Sequence, residues 1–144
     1  MNSQKDRVPL PKVGLFACFS GGSNTGSLAG MAALEVVRRL GSDVVGVCSL
    51  PAVLNKVPRQ SAMVNNIETI VVIDGCHQEC ARQLLDRVGV EPAIYLNIER
   101  DLGMQKLGPF TSLSFTEEQV NVVASALVRA IESILQRREE VGKR

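Results

Sequence analysis

The stretch from Ile70 to Cys80 reads IVVIDGCHQEC, a short apolar run that stops at Asp74-Gly75 and is followed by two cysteines four residues apart. β-Branched residues bounded by Asp-Gly are typical of a buried strand that ends in a tight turn. The residues after the turn have helical spacing, so we predict a strand at 69–73 and a helix at 76–88. Cys76 and Cys80 would then share one face of the first helical turn, where the helix dipole stabilises thiolates.

Similar alternation of apolar runs and helical periods continues along the chain. Thr116 and Gln119 form a capping box, which predicts the start of a long C-terminal helix. The other predicted elements are strands at 13–18, 44–48 and 93–98, a helix at 28–40, short helices at 51–54 and 58–64, and an irregular segment at 99–114.

Alternating strands and helices of this length predict βαβ crossovers and a parallel sheet covered by helices on both faces. The composition agrees, because only 3% of the residues are aromatic and the core must be built from Val, Leu, Ile and Ala. We therefore expect an α/β fold, a single-domain three-layer sandwich with a mainly parallel sheet of roughly four strands in the order 2-1-3-4. The domain is predicted at 13–138, between a disordered N-terminus at 1–12 and a charged tail at 139–144.

Length and charge exclude several classes of function. A chain of 144 residues is one ordinary domain with a self-sufficient core. It has 16 basic and 15 acidic residues and no basic patch interleaved with aromatics, so nucleic acid is not an expected partner. The apolar run at 13–19 is too short for a signal or a membrane span, so we expect a cytoplasmic protein without a membrane partner. A homo-oligomer is compatible with the sequence.

The placement of the four cysteines indicates a site. Cys18, Cys48 and Cys76 end or follow three successive predicted strands, and ligands of such sheets bind beyond the carboxyl ends of the strands. In a reducing compartment such cysteines favour a metal site or thiol chemistry over a disulfide framework. We expect these three and Cys80 to hold a metal ion, with zinc the preferred ion. An iron–sulfur cluster would use the same four thiolates.

Thiol chemistry is the alternative for the same residues. Cys76 could be a nucleophile of low pKa, resolved by another thiol such as Cys80, in a redox enzyme or carrier. The Cys-x-x-x-Cys spacing is one residue longer than the common redox motif, which favours the metal. No catalytic residue is assigned, and the sequence leaves open whether the protein is an enzyme.

The loop at 21–27 has the glycine spacing of a phosphate-binding loop. Ser27 stands where that motif requires Lys, which argues against nucleotide hydrolysis. The absence of an Arg between Cys18 and Arg38 argues against a cysteine phosphatase. A helix N-terminus can still bind a small anion or cofactor, and a tight turn with an N-cap explains the loop equally well. The candidate anion-binding residues are Gly22, Ser23, Asn24, Thr25, Gly26 and Ser27.

Three polar residues near the cysteines have simpler interpretations. Asp74 is expected to cap the helix that follows its strand. His77 is expected to point away from Cys76 around the helix and to be exposed. Lys106 could reach over the site and offset thiolate charge, although a surface position is the default for lysine.

These residues together resemble the DGC-domain family over about 13–110. The motifs that carry the resemblance are Cys18, Ser20 to Gly26, Cys48, and Ile73 to Ala81 with the central Asp-Gly-Cys. Members are described as candidate zinc-binding proteins because of four cysteines, which correspond here to Cys18, Cys48, Cys76 and Cys80, and the resemblance implies no reaction. Phe19 is a departure, since in the family pattern the first cysteine directly precedes Ser-Gly. An extra residue that bulges the strand end would turn Cys18 away from the site.

Overall fold

The computed structural model describes residues 9–143 and shows a parallel sheet between two helical layers. The predicted α/β class and the strand order 2-1-3-4 are confirmed, because the four strands lie in the order β2-β1-β3-β4 and all three pairings are parallel. The elements in chain order are β1 Val13–Ala17, α1 Asn24–Leu40, β2 Val45–Val47, α2 Leu50–Leu54, α3 Pro58–Asn66, β3 Thr69–Asp74, α4 Cys80–Arg87, β4 Ile94–Asn97, α5 Ile98–Leu102 and α6 Glu117–Gly142.

The alternation of side chains along the two central strands builds two cores. Leu15 and Ile73 face α1 and α6, which bury small and aliphatic residues such as Ala32 and Leu127 against them. Phe16 and Val72 face the opposite layer of α2, α3 and α4. Burying both faces explains why β1 and β3 are continuous apolar runs without polar alternation.

Two helix starts differ from their predictions by four residues. Helix α1 begins at Asn24 and not at 28, because the Ser23 hydroxyl accepts from the Gly26 N–H and caps the helix inside the predicted loop. Helix α4 begins at Cys80, so the prediction of a helix from Cys76 is wrong. The left-handed conformation of Glu79 (φ 53°) separates the turn after β3 from the helix.

The C-terminal helix confirms its predicted capping box, since Thr116 and Gln119 exchange hydrogen bonds at the start of α6. The helix continues to Gly142, past the boundary at 139 that the charge pattern predicted for the tail. Of the predicted disordered N-terminus, residues 1–8 lie outside the described part. Within residues 9–143 there is no helix long and apolar enough to cross a membrane.

Candidate functional site

A small pocket opens at the carboxyl edge of the sheet, between the ends of β1 and β3. We call it the edge pocket. Three of the four cysteines line it, together with the start of α1 and one lysine. Its lining residues are Cys18, Ser20, Ser23, Thr25, Gly26, Asp74, Gly75, Cys76, Gln78, Glu79, Cys80 and Lys106.

Cys18 faces this pocket although Phe19 follows it directly. Phe19 adopts a positive φ of 44°, and its ring packs on α1 so closely that a Cβ on Gly30 would lie 2.4 Å from the ring. The left-handed backbone of Phe19 and the contact of its ring with α1 thus accommodate the extra residue. Cys18 keeps its place at the end of β1, where its N–H donates to the Ile73 carbonyl oxygen at 3.2 Å.

The N-terminus of α1 forms the floor of the edge pocket and is packed without spare room. A Cβ on Gly26 would lie 1.9 Å from the Ser20 carbonyl oxygen, and a Cβ on Gly75 would lie 2.5 Å from the Thr25 backbone. Only glycine allows these backbone segments to approach so closely. Thr25 also lines the floor, and its hydroxyl is buried and has no hydrogen-bond partner within residues 9–143.

The opposite wall is the turn from Asp74 to Cys80, which hydrogen bonds hold in place. The buried Asp74 carboxylate accepts from the N–H groups of Ala81 and Arg82 at 2.9 and 3.1 Å, so the predicted capping role is confirmed. The same carboxylate accepts from the Tyr95 hydroxyl at 3.1 Å. Asn97, at the end of β4, donates to the Cys76 carbonyl oxygen at 2.8 Å. These bonds fix the backbone at Cys76 in the absence of helical structure.

Lys106 reaches the cysteines from the irregular segment after α5. Its ammonium nitrogen lies 3.6 Å from the Cys76 Sγ. Glu99 supports this arrangement, because its carboxylate accepts hydrogen bonds from the backbone N–H groups of Lys106 at 3.3 Å and His77 at 3.0 Å. The His77 ring is exposed, as predicted, but its Nδ1 contacts the Glu99 carboxylate at 2.7 Å. The structure thus pairs a thiol with a cation inside the edge pocket.

Burial dominates the electrostatics of the two thiols nearest the core. It raises the pKa of Cys18, although hydrogen bonds from the backbone at Ser20 and Gly75 oppose the effect. Burial raises the pKa of Cys48 to about 11, with only a backbone hydrogen bond at Leu15 acting against it. Both groups therefore favour the neutral thiol, and binding a metal through either one requires its deprotonation.

Cys48 lies apart from the edge pocket. Its N–H donates to the Leu15 carbonyl oxygen, which places Cys48 level with Phe16, two residues or about 6–7 Å short of Cys18. Its Sγ points back along the sheet, where a Cβ on Gly14 would lie 3.1 Å away, among the side chains of Ile67 and Ile70. Cys48 lines a separate pocket, and Cys18 is the residue that this pocket shares with the edge pocket.

The structure therefore brings together Cys18, Cys76 and Cys80 of the predicted metal ligands, all of them free thiols. Within residues 9–143 no three His, Cys, Asp or Glu side chains are arranged as a ready metal site. Of the predicted anion-binding residues, Ser23, Thr25 and Gly26 line the pocket. Asn24 turns its side chain away, bonding to the Gln105 carbonyl oxygen and the Leu107 N–H.

Sequence reasoning missed the residues that support the Cys76 turn. Asn97 ends the fourth strand, so the rule that placed the cysteines at the sheet edge could also have identified it. Glu99 carries no comparable signal, because its role depends on the fold of the segment that brings Lys106 back to it.

Comparison with protein families matches residues 14–127 to the DGC domain. The chain belongs to the DGC-domain family. The match confirms the resemblance carried by Cys18, Cys48 and the Asp74-Gly75-Cys76 motif, and it covers all four strands of the sheet apart from Val13. No curated protein and no solved structure matches the chain.

Proposed function

We propose that this DGC-domain protein binds a metal ion, with zinc as the ion, through the cysteines of the edge pocket. The observation that carries the proposal is that Cys18, Cys76 and Cys80 line one pocket although they come from distant parts of the chain. Thiolates are preferred zinc ligands, and three protein ligands leave a fourth coordination position for another group. The zinc-binding description of the family rests on four cysteines, and three of them form this donor set.

The surroundings of the thiols support the proposal. The Lys106 ammonium beside Cys76 offsets part of the negative charge that several thiolates would bring into one pocket. Cys80 is exposed at the first position of α4, so its side chain can turn toward the pocket without repacking the core. Bringing three sulfurs onto one ion requires rotation of side chains on a backbone that the Asp74 and Asn97 hydrogen bonds already fix.

The fourth cysteine of the sequence prediction, Cys48, remains a candidate ligand. To join the others its Sγ would have to leave the apolar contacts around Gly14 and rise toward the sheet edge. A site built on the edge pocket alone does not need it. An iron–sulfur cluster would draw on the same thiols, and its visible absorption would distinguish it from zinc.

Zinc affinity and metal content across a cysteine-to-serine series test the proposal. We expect the wild-type protein to bind one zinc ion in competition with a chromophoric chelator. Cys18→Ser, Cys76→Ser and Cys80→Ser should each weaken binding by about tenfold or more. Cys48→Ser is the matched control and should change affinity little. Undetectable zinc binding by the reduced wild-type protein would overturn the proposal, and a large loss in Cys48→Ser would instead assign the four-cysteine site.

Thiol chemistry at Cys76 is the second candidate, favoured by the 3.6 Å separation between its Sγ and the Lys106 nitrogen. A neighbouring cation stabilises the thiolate, which is the nucleophilic form. Cys76 should therefore be alkylated near neutral pH much faster than the buried Cys48, as measured by peptide-resolved mass spectrometry. Lys106→Gln should slow the reaction of Cys76, and Lys12→Gln, remote from the pocket, should leave it unchanged. Equal rates in wild type and Lys106→Gln would exclude a role for the lysine in activating Cys76.

A further inference from the structure

Thr25, which lines the floor of the edge pocket, has a hydroxyl without a hydrogen-bond partner among the described residues. The Thr25 hydroxyl is buried and lacks a partner within residues 9–143, whereas the other buried polar residues that line the pocket, Ser23 and Asp74, both make hydrogen bonds. Leaving a buried hydroxyl unpaired costs free energy, and buried polar groups in native proteins are nearly always hydrogen-bonded, so an unpaired one points to a partner from outside the chain.

The position of this hydroxyl indicates what that partner is. Thr25 lies in the first turn of α1, a helix of 17 residues, where the helix dipole places positive charge. Among the first-turn N–H groups, those of Asn24 and Gly26 already donate to the side chains of Thr111 and Ser23. Of these three first-turn residues, Thr25 is the one whose hydroxyl remains available to a ligand in the pocket.

The charged side chains around the pocket favour an anion. The Lys106 ammonium lines it directly. The Asp74 carboxylate is occupied by the Ala81 and Arg82 N–H groups and by the Tyr95 hydroxyl. Glu79 has arginine partners, Arg82 at 3.4 Å and Arg100 at 3.5 Å. Since both carboxylates already have hydrogen-bond or ion-pair partners, the Lys106 ammonium and the α1 terminus are the groups left to bind a ligand in the pocket.

We propose that the edge pocket binds a small oxyanion, such as a phosphate, sulfate or carboxylate group, between the Thr25 hydroxyl and the Lys106 ammonium. The site differs from the loop set predicted from the sequence, because Asn24 faces other partners and Lys106 comes from a segment 81 residues later. It places the anion beside the thiols of Cys18 and Cys76. The site does not require a metal, so it stands whether or not the cysteines bind zinc.

Calorimetric titration of the reduced, metal-free protein with inorganic phosphate, sulfate and acetate tests the site, with chloride at matched ionic strength as the reference. We expect saturable binding of at least one oxyanion, and the tightest of the three identifies the preferred group. Thr25→Val and Lys106→Gln should each weaken it by about tenfold. Thr25→Ser, which keeps the hydroxyl, and the remote Lys12→Gln should bind like the wild type.

Thermal unfolding without ligand supplies the second readout. Because the hydroxyl has no partner within residues 9–143, Thr25→Val should be as stable as the wild type or more stable. A clear loss of stability would mean that the hydroxyl is already satisfied, and the proposal would fail. It would also fail if none of the oxyanions bound more tightly than chloride. Failure of zinc binding with intact oxyanion binding would overturn the metal proposal alone.

Discussion

Cys76 and Cys48 both follow a strand of the same parallel sheet by one or two residues, yet their surroundings are opposite. Cys76 lies in a pocket beside the Lys106 ammonium, on a turn that Asp74 and Asn97 hold by hydrogen bonds. Cys48 points back among aliphatic side chains on a short edge strand, and its thiol makes a distant contact of 3.8 Å with the Gly46 carbonyl oxygen.

The difference shows that a position at the carboxyl end of a strand is not sufficient to place a side chain in the site. Strand β2 ends level with Leu15, whereas β1 and β3 continue to Ala17 and Asp74. Cys48 is therefore set back from the edge, and Cys76 extends beyond it. This contrast predicts different responses of the two regions to mutation and pH.

The largest expected effect concerns one glycine near each cysteine: Gly75, which precedes Cys76, and Gly14, which packs against the Cys48 side chain. Gly75→Ala would force a Cβ to within 2.5 Å of the Thr25 backbone, which cannot move without displacing α1, so we expect a loss of about 3 kcal/mol or more in unfolding free energy. Gly14→Ala would meet only the ends of flexible side chains, including Cys48 Sγ at 3.1 Å, and should cost about 1 kcal/mol.

Urea unfolding of both variants measures this difference, with Gly22→Ala as the control because a Cβ there meets nothing within 4 Å. Equal losses at Gly75 and Gly14 would show that the Cys76 region is no more tightly constrained than the Cys48 region.

An intermediate effect is expected at high pH from Cys48. Burial raises its pKa in the folded protein to about 11 from the ordinary 9.0, so its contribution to stability is complete below pH 9 and is lost as the pH rises toward 11. The stability advantage of the wild type over Cys48→Ala should therefore shrink by about 2–3 kcal/mol between pH 8 and pH 11.

Val53→Ala provides the comparison, since Val53 belongs to the same apolar cluster and does not titrate. Its stability difference from the wild type should stay constant over this range. If the Cys48→Ala difference is equally constant, then Cys48 is not buried as the structure describes.

The smallest expected effect concerns Glu99, which supports the Cys76 region. Its hydrogen bonds with the His77 side chain, and then with the backbone of His77 and Lys106, lower the pKa of this carboxyl. The resulting stabilisation is present at neutral pH and is lost as the pH falls below about 4. Because the pair is exposed, Glu99→Gln should cost less than about 1 kcal/mol at pH 7.

Denaturant unfolding at pH 7 and pH 3 measures this effect, with Glu91→Gln as the control. A Glu99→Gln difference that persists at pH 3 would mean that the carboxylate charge is not what stabilises the turn.

Local patterns in the sequence were sufficient for the architecture. The apolar runs around Leu15 and Val72 lie at the centre of the sheet and are buried on both faces, so hydrophobicity alone identifies them. The capping box at Thr116 and the cap at Asp74 were also predictable, because each side chain bonds backbone groups only a few residues away.

The site required the tertiary structure. Whether Cys18 faces the pocket depends on how Phe19 packs against α1, and whether Cys48 does depends on where β2 stops relative to β1. The contact of Lys106 with Cys76 and the unpaired Thr25 hydroxyl arise from segments far apart in the chain. Local hydrophobic patterns are sufficient to predict the fold and the sheet edge at which Cys18, Cys76 and Cys80 lie. Tertiary packing alone decided which thiols share a pocket and what charge they meet there, since strand stagger and side-chain direction are set by long-range contacts.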